Sequence, residues 1–305
     1  VTAPRTSRVA HPQPGVGRII RSPFVWGPLG AVLLFTTSLG LGVVSADLPP
    51  AWRPWLTVVG TVLVAALYVV IMRGVAGRRT PELTGTGGGR ELVLGIALGT
   101  SFVAGVAGVV ALLGGYDIAW AGRDVGAALL EAVMLGAAAG VLEELMFRGF
   151  VLQALERIGG SGVALAVTAL IFGAMHLMND GATLLAALTI SVEAGLLLGA
   201  AFLWRRDLRF VIGIHLAWNA TEALLGIPVS GGSMPGLWTT TVHGSDLLTG
   251  GGFGLEASVV TVLLSLVPTT LMLIAAHRRG SLRSVPWRRR SGRDVPLSPA
   301  PARTG

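Results

Sequence analysis

The chain has no cysteine and no lysine among its 305 residues, and only 13% of them are charged. Without cysteine there is no disulfide scaffold, no cysteine-ligated zinc and no thiol nucleophile, so any chemistry falls to Glu, Asp, His, Asn, Ser or Thr. With 52% apolar residues and a mean hydropathy of +0.71, the sequence is too greasy for a soluble domain of this length, and the bilayer must be its solvent. Neither a GxxxxGK[ST] loop nor a fixed-period repeat occurs, which leaves nucleotide-driven transport without support. The HExxH helix of soluble zinc proteases is absent as well.

What the sequence does hold is long apolar runs, near 24–46, 55–72, 92–113, 125–147, 161–178, 182–204, 210–226 and 255–276. These predict an all-α polytopic transmembrane bundle of about eight spans. The first run reads as a retained anchor, because it is long and is followed by Asp47-Leu48-Pro49-Pro50 in place of a small-residue cleavage site. An even number of spans puts both termini on one side. Of the 23 basic residues, all arginine, only Arg53 and Arg123 then fall on the other. By the positive-inside rule both termini are cytoplasmic, in a multi-pass protein of the cytoplasmic membrane. The net charge of +7 is therefore a topology signal carried by short loops and the two ends. The bilayer is the expected partner, and nucleic acid is not.

Trp52, Trp55, Trp120 and Trp204 fall near the predicted interfaces, as an aromatic belt would. Residues 1–22 and 279–305, rich in Arg and Pro, read as unstructured basic tails around a transmembrane domain at 23–278. The stretch 227–254 is the longest loop on the non-cytoplasmic side, and 78–90 is a cytoplasmic linker.

A charge at the centre of a transmembrane helix costs roughly 2.5 to 3.5 kcal/mol on insertion scales, so each such residue is a functional candidate. The fourth run carries Glu143-Glu144-Leu145-Met146-Phe147-Arg148, the fifth ends Phe172-Gly173-Ala174-Met175-His176, and the seventh holds His215-Leu216-Ala217-Trp218-Asn219. Glu131, Glu193 and Glu222 add to them. Residues four apart share a helix face, so Glu144 and Arg148 can pair, and His215 and Asn219 can face one cavity. Glu143, about 100° round the helix from Glu144, is left free to accept a proton. Measured along ideal helices, Glu143 lies roughly 20 Å from the cytoplasmic ends, His176 roughly 24 Å, His215 roughly 9 Å and Asn219 roughly 15 Å. A common pocket then requires the fifth helix to start later than the others or to tilt.

These three segments, as EExxxR, FxxxH and HxxxN in this order on separate helices, resemble the CAAX-protease and bacteriocin-processing (CPBP, or Abi) family of intramembrane proteases, which includes the Ras-converting CAAX endopeptidases. All the motifs fall within about 125–226, the expected catalytic core. The resemblance implies hydrolysis of a peptide bond in a peptide or membrane-anchored protein. Glu143 and His176 would activate water, His215 and Asn219 would stabilise the oxyanion, and Glu144 and Arg148 would support the site. Two His and a Glu, namely His176, His215 and Glu143, would suit zinc with an open water position. Glutamate and histidine acting without a metal fit the same residues, and that reading is preferred here.

Simpler readings stand beside these. Glu144 and Arg148 suit a structural ion pair, and His215 and Asn219 suit interhelical hydrogen bonds. Glu193 would be a pocket lining or a satisfied buried acid. His243 and Asp246 would face solvent, and Gly136-Ala137-Ala138-Ala139-Gly140 would serve close helix packing. The competing functions are a proton-coupled transporter, for which no paired repeats are found, and a non-catalytic immunity or scaffold protein that keeps the fold.

Overall fold

The computed structural model describes residues 15–285. Eight long helices, labelled α1 to α8 in chain order, carry the eight apolar runs. They are α1 Pro23–Asp47, α2 Arg53–Gly74, α3 Gly88–Leu112, α4 Val125–Glu144, α5 Leu152–Met175, α6 Leu184–Arg205, α7 Leu208–Leu225 and α8 Val259–Arg278. By length and composition, six helical runs among the described residues are long and apolar enough to cross a membrane. One of these is the 54-residue run Val125–Met178, which contains both α4 and α5. It is broken at Gly160, whose φ of 79° and ψ of 172° are not helical. Positive φ is open to glycine at little cost, so the second half of α5 begins where the sequence places a new span.

Helix α7 falls outside the six because Arg209, His215, Asn219 and Glu222 interrupt its apolar character. The bundle takes it inside instead. Its buried residues run from Leu208 to Ala223, and neighbouring helices surround it in place of lipid.

Glycines set how closely α7 is held. A Cβ on Gly95 of α3 would come within 2.1 Å of the Phe210 carbonyl oxygen. On Gly136 of α4 it would lie 2.3 Å from the Leu216 carbonyl oxygen. Backbone therefore packs on backbone on both sides of α7, which is the close packing expected of the Gly136–Gly140 stretch. The contacts bracket His215 on the helix that carries it.

Two segments depart from ideal winding. Leu145–Val151, just after the glutamate pair, and Ser191–Leu196, in the middle of α6, are π-helical. Such bulges recur at functional sites.

At the arginine-poor end the loops are more ordered than an all-helical reading foresees. Tyr116–Trp120 (β1) and Trp238–Val242 (β2) form a two-stranded antiparallel sheet, with Tyr116 opposite Val242 and Trp120 opposite Trp238. The pairing joins two loops far apart in sequence, so local periodicity carries no sign of it. The stretch that follows β2 turns back into the bundle, burying Phe253 and Leu255.

At the opposite end Arg78 donates to Glu82 Oε1 at 2.8 Å and to Gln153 Oε1 at 2.7 Å. Tyr68 donates to Glu82 Oε1 at 2.6 Å, so the linker is anchored. Of the stretches expected to be tails, residues 1–14 and 286–305 lie outside the described residues. Within the described part, Val16–Ile20 forms a short helix, and the Ser161 amide donates to the Arg283 carbonyl at 3.0 Å.

Candidate active site

The site is assembled on Glu144. Its side chain is wholly buried where α4 passes into the π-helical segment. The single oxygen Oε1 accepts hydrogen bonds from Arg148 Nη1 at 2.8 Å and from His215 Nδ1 at 2.7 Å. Arg148, also with no exposed surface, spends its other Nη on the carbonyls of Ala194 (3.2 Å) and Gly195 (3.1 Å) in the π-helical part of α6. Its guanidinium carbon stands 4.6 Å from the centre of the Phe172 ring. The pair predicted on one helix is therefore a bridge between α4, α6 and α7. A buried charge is tolerated only with such a set of partners.

Phe172 is the aromatic hub. Its ring lies 4.8 Å from that of His176, 6.2 Å from that of His215 and 5.0 Å from that of Phe147, centre to centre. Its carbonyl oxygen stands 2.8 Å from His176 Nδ1. A carbonyl can only accept, so Nδ1 carries the proton and Nε2 of the neutral ring keeps the lone pair. His215 is oriented in the same way. With Nδ1 directed to Glu144, its Nε2 faces Glu143 Oε2 across 4.0 Å, beyond hydrogen-bond range. That Glu143 oxygen is buried and has no hydrogen-bond partner among the described residues.

His176, His215 and Asn219 line one cavity, together with Phe172, Ile190, Ala194, Leu198, Trp218 and Glu256. Its free volume is about 10 Å³, near the least that holds a single water molecule. Asn219 is 5% exposed, and its Oδ1 has no hydrogen-bond partner among the described residues. The unequal depths estimated from ideal helices do not keep His176 from meeting His215 and Asn219. Glu143 is not in the cavity wall and joins the cluster through His215.

Both histidines present Nε2 as the free nitrogen, as metal ligands do when Nδ1 is held by an oxygen. Among the described residues, however, no three His, Asp or Glu side chains stand in an arrangement that could hold a metal ion. The donors as placed do not fit a zinc site.

Other candidates fall elsewhere. Glu131 forms a half-exposed ion pair with Arg123 at 3.0 Å. His243, exposed, pairs with Asp117 at 2.9 Å, and Asp246 is exposed. Glu193 and Glu222 are fully buried, with no hydrogen bond to any of their four carboxylate oxygens among the described residues. Glu193 is thus a buried acid, but an unsatisfied one. Glu256, which lines the cavity, escaped sequence reasoning because it belongs to no motif. The available signal was a glutamate at the edge of an apolar run, just after a glycine-rich loop.

No curated protein and no solved structure matches the chain. A family model described as type II CAAX prenyl endopeptidase Rce1-like matches residues 125–221, the stretch that holds α4, α5, α6 and most of α7 with all three motifs. Over that stretch the chain is similar to the CAAX-protease (CPBP) family of membrane endopeptidases.

Proposed function

We propose that the chain is an intramembrane endopeptidase that hydrolyses a peptide bond in a membrane-associated substrate, with a prenylated CAAX-type C-terminus as the first candidate. The observation that carries this reading is the water-sized cavity bounded by His176, His215 and Asn219, with Glu144 fixing the His215 ring and Glu143 Oε2 beside it without a hydrogen bond among the described residues.

Water attacks the scissile carbonyl carbon while its proton passes to Glu143 or to the free Nε2 of His176, the two groups able to accept it. The carbonyl oxygen becomes an oxyanion, to which Asn219 Nδ2 and a protonated His215 Nε2 donate. For that task His215 must carry protons on both nitrogens, and the Nδ1 proton is already held by Glu144. As the carbon–nitrogen bond breaks, the stored proton is delivered to the departing amine. Arg148 takes no proton. It holds Glu144, and through it His215, between three helices. No metal enters these steps.

The test uses the purified chain in liposomes and an internally quenched peptide with a farnesylated cysteine four residues from its C-terminus. Wild type cleaves it, and Glu143→Gln lowers turnover by about a hundredfold or more, the usual weight of a general base, with normal membrane insertion. Turnover by Glu143→Gln at the wild-type rate rejects the assignment.

A further inference from the structure

Three polar residues of the cavity wall come from the motifs, and the fourth does not. Glu256 sits in the short turn Leu255–Ala257 ahead of α8, beyond the matched stretch, and shares the wall with His176, His215 and Asn219. It is 6% exposed.

The turn is pinned in place. Thr261 Oγ1 donates to the Leu255 carbonyl at 2.6 Å, and Ser258 Oγ to the Leu248 carbonyl at 2.6 Å. Ser230, across the loop, donates from Oγ to Glu256 Oε2 at 2.6 Å and so fixes the carboxylate plane. The Gly231 amide, bonded to the Phe253 carbonyl at 2.8 Å, ties the two arms of the loop together.

A carboxylate buried to this degree needs a compensating charge. Among the described residues no arginine pairs with it, and the groups beside it on the cavity wall that can become cations are His176 and His215. Glu193 and Glu222, fully buried, offer it no positive charge. Glu256 therefore shares the cavity with the histidines of the site, held there by Ser230.

We propose that Glu256 is a positioning residue of the hydrolytic centre, whose carboxylate balances the His176 imidazolium while that ring holds the proton taken from the attacking water. The inference rests on the hydrolytic reading above. In the step itself a water O–H bond breaks, its proton goes to His176 Nε2, and its electron pair forms the new carbon–oxygen bond. The same proton then goes to the amine nitrogen as the carbon–nitrogen bond breaks. Glu256 neither gains nor loses a bond. It lowers the energy of the charged ring, as a carboxylate close to an imidazolium does.

The test compares wild type, Glu143→Gln, Glu256→Gln, Glu256→Asp and Ser230→Ala in liposomes with the same farnesylated peptide. Glu256→Gln should lower kcat about tenfold with KM within about twofold, the split expected when only the transition state is affected. Its melting temperature should hold, because an amide of the same shape can still accept the Ser230 hydrogen bond, whereas a charge needed as a structural prop would cost stability when removed. Glu256→Asp should recover most of kcat, and Ser230→Ala should fall between wild type and Glu256→Gln. Wild-type turnover by a folded Glu256→Gln overturns the inference, and so does a loss of kcat that tracks a loss of stability and is not rescued by Asp. If wild type cleaves, Glu143→Gln does not and Glu256→Gln matches wild type, this inference alone fails. If wild type cleaves nothing, the hydrolytic reading fails and takes it along.

Discussion

Glu144 shows how much one oxygen can organise. Oε1 serves both Arg148 and His215, while Oε2 has no partner among the described residues. Removing the arginine would leave the carboxylate with His215 as its one remaining partner among the described residues, in a dry interior, and breaking a buried pair in this way costs about 3–5 kcal/mol. Arg148→Leu is therefore expected to lose about that much stability, measured as a fall in the unfolding midpoint of the purified protein in detergent. A variant as stable as wild type would show that the bridge between α4, α6 and α7 contributes nothing. Lysine is no substitute, because a point charge cannot reach Glu144 and the Ala194 and Gly195 carbonyls together while lying over Phe172.

At the scale of the element, the site depends on α7 being held to its neighbours through glycine. Gly95 of α3 meets the Phe210 carbonyl with no room for a Cβ, whereas Gly105 on the same helix has open space around it. Gly95→Val should separate the helices, shift His215 from Glu144 and lower both stability and cleavage. Gly105→Val should leave both near wild type, and equal effects from the two would contradict this packing.

The eight helices were legible in the sequence because runs of about twenty apolar residues have few alternatives to a helix of membrane-spanning length. The Glu144–Arg148 pair was legible because i and i+4 share a face. Its further reach to His215 and to two α6 carbonyls was not, because those contacts depend on how separate helices dock. The π-helical segments and the break at Gly160 were hidden for a related reason, since both answer to packing and not to composition.

Seen whole, the molecule turns its apolar side chains outward. Val32, Val43, Val62, Leu112, Leu263 and Leu271 are exposed, as lipid-facing residues of a membrane bundle should be. Its polar groups gather in the interior and at the arginine-rich end. There the arginines that signalled topology also act as clamps. Arg206 donates to Glu156 at 2.7 and 2.6 Å, Ser161 donates to the same carboxylate at 2.5 Å, and Arg205 pairs with Glu91. The partners of these charges come from distant segments, and no local pattern announces them. The β1–β2 pairing and the return of Glu256 into the bundle were hidden in the same way, because each joins loops that meet only in the folded chain.

In the proposed mechanism α4, α5 and α7 bring their motifs to one water molecule, with Glu143 and His176 sharing a single proton-transfer task. Residues that act as a unit are strongly non-additive when replaced. The most direct measurement is kcat/KM for Glu143→Gln, His176→Ala and the double variant, from long incubations in liposomes read by mass spectrometry. The double variant should be within about threefold of the slower single one. Losses that multiply would show two residues working independently and would contradict the shared centre.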